Sequence, residues 1–238
     1  MRELGQMSGR NYLELNEIIF IGRTFEEYLR MFNLSGKELE GSRILDCPGG
    51  ACSFAAHASR FGGTVTAVDV VYGLPVSTLR EKGLADLQVV RDGMSAASGT
   101  YDWTEFGHLD GLIETRNQAV ADFLEDYDRN PCRYVQATLP NLPFADREFE
   151  LVLSAHFLFT YAEQLDADFH LRTMNELLRV ASREVRIFPL ISSNGTSYPY
   201  LSELMQAMQG QGHDVEVVPV SYHFQRGANE MVRIQRKP

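Results

Sequence analysis

The chain reads as an α/β protein built on a doubly wound, mostly parallel sheet with helices on both faces. Three observations predict it. First, residues 43–53 (Arg43-Ile44-Leu45-Asp46-Cys47-Pro48-Gly49-Gly50-Ala51-Cys52-Ser53) and 64–69 (Thr64-Val65-Thr66-Ala67-Val68-Asp69) run strand, glycine turn, helix, strand, with a carboxylate at the end. That order is how such a sheet builds a nucleoside pocket. Second, strand-like alternation returns at residues 133–137, 149–154 and 184–190, with a helical pattern before the last of them. Third, residues 214–220 and 230–236 are joined by a connection short enough only for an antiparallel hairpin. A plain dinucleotide-binding domain does not need that ending.

Taken in order, residues 12–32 set Leu13, Ile18, Ile19, Phe25, Tyr28, Leu29 and Phe32 among acidic and basic residues, in a helical rhythm broken at Gly22. This predicts two short helices ahead of the first strand, a helical cap within residues 1–40. The first strand is 43–46 and the helix after it is 53–61, where Ala55, Ala56 and Ala58 permit close packing and Gly62-Gly63 ends the turn. Gly49 and Gly50 let backbone approach a ligand and reach φ > 0. Asp69, ending the second strand, stands where a carboxylate can take both hydroxyls of a ribose.

Nearly sixty residues then separate strands two and three, far more than a crossover requires. Apart from Leu87-Gln88-Val89-Val90 they show no strand alternation, and 118–127 is helical, with Ala119, Val120, Phe123 and Leu124 on one side. We therefore expect a helical lid inserted over 74–132, with 93–111 as its mobile part. Leu142-Pro143-Phe144-Ala145-Asp146 is a turn, and residues 168–180 and 200–209 are the remaining helices.

Composition narrows the function. The 22 basic against 32 acidic side chains give a net charge of −10, and no cluster of Lys or Arg offers a face to nucleic acid. Cys47, Cys52 and Cys132 have no metal-binding spacing, and with no apolar leader or membrane-length run the expectation is reduced thiols in a cytoplasmic protein with no membrane partner. The histidines are scattered, so no metal site is expected. Nucleophile-elbow, phosphate-loop and zinc-protease motifs are all missing.

The blocks Ile44-Leu45-Asp46-Cys47-Pro48-Gly49-Gly50, Val68-Asp69, residues 142–154 and the terminal hairpin arrive in one order, and together they resemble the class I, Rossmann-like S-adenosylmethionine-dependent methyltransferases. The resemblance covers roughly residues 43–236 outside the insertion. It implies a single methyltransferase domain over 1–238, a seven-stranded sheet in the order 3-2-1-4-5-7-6 with strand seven antiparallel, and S-adenosyl-L-methionine as cofactor. Two departures stand out: Pro48 occupies the first glycine position of the loop and Cys52 falls near the last, and Thr138 follows strand three where an acidic residue or Asn is common.

By this resemblance Asp46 meets the ammonium of the methionine part, Cys47, Pro48, Gly49 and Gly50 face the methionyl and ribose portion, and Asp69 holds the ribose. Val70 and Val71 pack on adenine, while Thr138 and Leu139, with Ser154 and Ala155 on strand four, complete the cofactor pocket. His156 is the candidate base, since imidazole titrates near neutrality, although lining the pocket or capping a helix would equally account for it. Phe159 and Tyr161 are candidate substrate contacts, and Arg23 and Tyr28 could close over the cofactor carboxylate. The reading is methyl transfer to an O, N or C atom of a small molecule by a protein that could be a homodimer. The alternatives are an NAD-dependent oxidoreductase and a non-catalytic cofactor-binding module.

Overall fold

A computed structural model describes residues 18–96 and 98–237. Seven strands form one sheet in the order β3-β2-β1-β4-β5-β7-β6. They are β1 (Arg43–Asp46), β2 (Thr64–Asp69), β3 (Tyr134–Gln136), β4 (Phe149–Ala155), β5 (Ala181–Phe188), β6 (Asp214–Pro219) and β7 (Glu230–Gln235). The first five are parallel, and β7 runs antiparallel to both β5 and β6. Both the order and the reversed final strand are those expected.

Side-chain alternation along the central strands splits the apolar interior into two layers. Ile44, Leu151 and Leu153 face one layer, shared with α1 (Phe25–Met31), α3 (Phe54–Ala58) and α5 (Leu109–Arg129). Leu45, Val152 and Val185 face the other, shared with α6 (Ala167–Val180) and α7 (Leu201–Gly210). Helices therefore cover both faces, which leaves the carboxyl ends of the parallel strands as the natural ligand edge.

Three local readings differ from expectation. Leu87–Val90 is not strand-like but lies inside α4 (Val76–Ala96), where Leu87 and Val90 are buried and Val89 is exposed. Good helix formers on either side override a run of only four residues. The helix after β1 stops at Ala58 and continues as a short 3-10 turn to Phe61. Before β1, helices are present at α1 and at α2 (Gly36–Leu39), each opened by a complete capping box from Thr24 and Ser35. Residues 18–24, however, are not helical, and the part of the expected rhythm at Leu13 lies outside the described residues.

Residues 74–132 hold two 21-residue helices, α4 and α5. They run antiparallel, since Val120 of α5 lies against Gly83 of α4 and Arg91 of α4 pairs with Asp110 of α5. Helix α5 packs on α3, in the place of an ordinary crossover helix, and α4 is the addition. The connecting 98–108 stretch is held to the β6–β7 connection by two backbone bonds, Asp102 N–H to Phe224 O (2.7 Å) and Arg226 N–H to Thr100 O (3.0 Å), with Tyr101 and Phe106 buried.

A buried ion pair fastens these parts together. Arg116 of α5 donates two hydrogen bonds to Glu27 of α1 (2.6 and 2.7 Å), and Tyr222 from the β6–β7 connection donates a third to the same carboxylate (2.7 Å). Burial alone would raise the Glu27 pKa, but the Arg116 guanidinium outweighs it and holds the group at about 2. Removing one partner strands a buried charge, whereas removing both does not. Glu27→Gln is expected to cost about 3–5 kcal/mol in urea denaturation, and Glu27→Met combined with Arg116→Met is expected to cost less than either single change.

Candidate functional site

The turn after β1 is built by close backbone approach. A Cβ on Gly49 would fall 2.6 Å from the Tyr72 hydroxyl, and Gly50 has φ +55°, so both positions need glycine. Gly49 N–H donates to Val68 O (2.7 Å), Gly50 N–H to Asp69 Oδ2 (3.1 Å), and the Tyr72 hydroxyl to Gly50 O (2.6 Å). The turn is thereby tied to the end of β2. Asp69 also accepts from Val71 N–H through its other oxygen (3.2 Å). Its pKa is raised by burial, against which these amide hydrogen bonds act.

Above this turn lies a cleft with a cavity of about 400 Å³. Cys47, Pro48, Gly49, Gly50 and Asp69 line its floor. Val70, Val71, Thr138, Leu139 and Ala155 line the wall made by β2, β3 and β4. Val70 is 52% exposed at the rim, an apolar surface facing the opening. Arg23, His156 and Tyr161 complete the sequence-predicted residues that the fold brings together there.

Four expected site residues do not line the cleft. Asp46 is 1% exposed at the end of β1, with both its oxygens held by the Tyr28 hydroxyl at 3.0 and 3.2 Å. Tyr28 is accordingly a buried support and not a cover. Ser154 points into the interior because strand alternation turns it away from the edge that Ala155 reaches. Phe159 is buried against His170 and Tyr198, with ring centroids at 5.8 and 5.5 Å. It belongs to the core on the α6 side.

His156 has two unusual features. Its φ is +49°, a left-handed conformation that a non-glycine residue holds only when its surroundings enforce it, here through its N–H donating to Phe188 O (2.7 Å). Its ring is buried edge-on to Phe188 and Tyr222 with Nε2 unpartnered. Burial first, then the charges of Arg23 and Arg116, push its pKa well below the usual histidine value. The imidazole is therefore neutral at physiological pH and can accept a hydrogen bond.

Several lining residues carry no motif. Residues 18–21 cross the cleft as an irregular strap, with Ile19 N–H donating to the Tyr161 hydroxyl (3.1 Å) and Phe20 N–H to Asp86 (2.5 Å). The only signal for them is four consecutive apolar residues, too short to separate a strap from a helix. Arg23 follows, its amide donating to Cys52 Sγ (3.2 Å) and its Nε buried without a partner. Met94, Tyr101, Tyr222 and Phe224 come from the insertion and the hairpin connection, and only their folding together reveals them. Burial drives the Cys47 and Cys52 thiols upward, that of Cys52 to about 12, so neither is a reactive thiolate. Among the described residues no group of three or more His, Cys, Asp or Glu is placed to hold a metal ion, and no helix is long and apolar enough to cross a membrane.

Sheet order, glycine turn and second-strand carboxylate together define the class I methyltransferase fold. No family model matches the chain. It is 34% identical over 226 residues to "Uncharacterized protein MJ0045" of Methanocaldococcus jannaschii, covering 94% of this chain and 99% of that protein, and it belongs to that protein's family. Similar solved structures include a SAM dependent methyltransferase from Aquifex aeolicus, at 15% identity over 88% of this chain and 91% of that one with a TM-score of 0.42. Another is the 1,6-didemethyltoxoflavin-N1-methyltransferase of Burkholderia thailandensis, at 15% identity, 85% and 76% coverage and a TM-score of 0.47.

Asp46 offers a test of the buried floor. Burial, partly opposed by the Tyr28 hydrogen bond, pushes its pKa from 3.8 up to about 8. A raised carboxyl pKa contributes stability that is complete below the unfolded value and is lost as pH rises through the folded one. Wild-type protein should therefore lose stability relative to Asp46→Asn between pH 4 and 8, at about 1.4 kcal/mol per pH unit. Urea midpoints of the two proteins at pH 5 and pH 8 check this, and parallel curves would contradict it.

Proposed function

We propose that the protein is an S-adenosylmethionine-dependent methyltransferase acting on a small molecule. The observation that carries the reading is the convergence in one cleft of a backbone cradle at Gly49 and Gly50, the Asp69 carboxylate, and the Arg23 side chain. These are a close-approach surface, an acceptor for paired hydroxyls and a cation for a carboxylate, which is what the ribose and amino-acid ends of this cofactor demand. Half-exposed Val70, with Val71 and Leu139, supplies the apolar faces for a purine.

When bound, the cofactor supplies an electrophilic methyl carbon on a sulfonium, whose sulfur keeps the bonding pair and leaves as a neutral thioether. The protein's task is then to orient the acceptor and exclude water. The strap at 18–21 and helix α4 wall the cleft from solvent. His156 lines the cleft with a neutral imidazole, the side chain there best suited to take the proton of an acceptor O–H or N–H once its buried Nε2 is uncovered. We assign Asp46 to supporting the floor, since Tyr28 occupies both of its oxygens.

Binding of S-adenosylhomocysteine, followed by calorimetry, tests the cofactor assignment. Asp69→Ala should weaken it at least tenfold, because charge-assisted hydrogen bonds contribute about 1.5–3 kcal/mol each. Unchanged affinity in a variant that melts like wild type would remove Asp69 from the site and the reading with it.

A further inference from the structure

The half of the cleft beyond the glycine turn differs chemically from the cofactor half. Tyr101 and Phe224 stack with ring centroids 4.9 Å apart and planes 16° from parallel. Trp103 and Phe106 brace Phe224 edge-on at 5.4 and 5.0 Å, and the bridge pairing Tyr101 with Gln225 fixes the backbone beneath. Tyr222 presents only its ring, because its hydroxyl is spent on the buried Glu27 carboxylate. The polar atoms left are few: His156 Nε2 and Thr160 Oγ1 are buried in lining residues and lack partners. Among the described residues Asp69 is the one carboxylate residue lining the cleft, and of the cations Arg23 and Lys82 the second is paired with Asp86 (2.9 Å).

We infer that this compartment binds a flat, uncharged aromatic acceptor, held against the Tyr101–Phe224 wall and beside His156. The inference rests on the cofactor reading above and names the substrate class of that site. Rigid, braced rings favour a planar partner over a saturated one of equal bulk, since ring faces stack at low conformational cost. Apart from Asp69, which the cofactor reading gives to the ribose, the described lining offers an ammonium no carboxylate, and this disfavours a cationic ligand. Burial first, then the charges of Arg23 and Arg116, disfavour the imidazolium, so His156 presents an uncharged ring to the compartment.

The test uses the full chain loaded with S-adenosylhomocysteine and reads binding by calorimetry, with three probes: 2-naphthol, its saturated counterpart decahydro-2-naphthol, and 1-naphthylmethylamine as the cation. We expect 2-naphthol to bind roughly tenfold more tightly than either of the others, and Tyr101→Leu to abolish that preference while keeping the bulk. Should Tyr101→Leu fail to fold, the three wild-type affinities decide alone. Equal affinity for the flat and saturated alcohols, or tighter binding of the amine, overturns the inference while leaving cofactor binding intact. Failure of S-adenosylhomocysteine itself to bind overturns the cofactor reading instead, so the two failures are distinguishable.

Discussion

Everything at the candidate site depends on the β1 turn being pinned to the end of β2. Three short hydrogen bonds do this, from Gly49 to Val68, from Gly50 to Asp69 and from Tyr72 to Gly50. The pinning needs the absence of a side chain at Gly49, where the Tyr72 hydroxyl fills the space a Cβ would take. Tyr72 in turn is held by stacking on Phe123 of α5 at 5.7 Å and by edge contact with Tyr134 of β3 at 5.3 Å. An aromatic layer across α5 and β3 thereby fixes the position of a backbone loop, and the loop fixes the carboxylate.

The cleft's electrostatics follow from burial set against a few fixed charges. Asp46 and His156 are both neutral at pH 7 for the same underlying reason, since the interior penalises their charged forms. Glu27 is the exception, ionised because a bidentate guanidinium more than offsets its desolvation. The pair's value is geometric as much as energetic. It joins the helix that precedes β1, the insertion and the hairpin connection at one point, and it orients Tyr222 so that a ring and not a hydroxyl faces the cleft.

Much of this was legible in the sequence, and the reason divides by locality. The strand order and the floor residues from Cys47 to Gly50, with Asp69, are short contiguous signals whose physics is local: turn geometry, strand alternation, a carboxylate at a strand end. Asp46, Ser154 and Phe159 were legible as neighbours of the site but not as lying off it, because one step along a strand or turn reverses a side chain's direction. Leu87–Val90 misled because four residues cannot distinguish periods of 2 and 3.6. The opposite wall was legible only at His156 and Tyr161. Ile19, Tyr101 and Phe224 are distant in sequence and share no motif, and only the packing of strap, insertion and hairpin connection brings them to one cavity.

That division has a physical consequence for how such a protein can vary. A cleft floor made of a glycine turn and one carboxylate leaves little freedom, since its turn positions are constrained by a φ value or a missing Cβ. The opposite wall is made by side chains on segments that connect elements rather than compose them, so a change of ring size or polarity there alters the acceptor without disturbing the sheet. His156 sits at the junction of the two regimes: its strained backbone is fixed by β5 through Phe188, while its ring lies edge-on to Tyr222 of the opposite wall. A residue so placed couples the sheet directly to the wall that strap, insertion and hairpin connection build around the cavity.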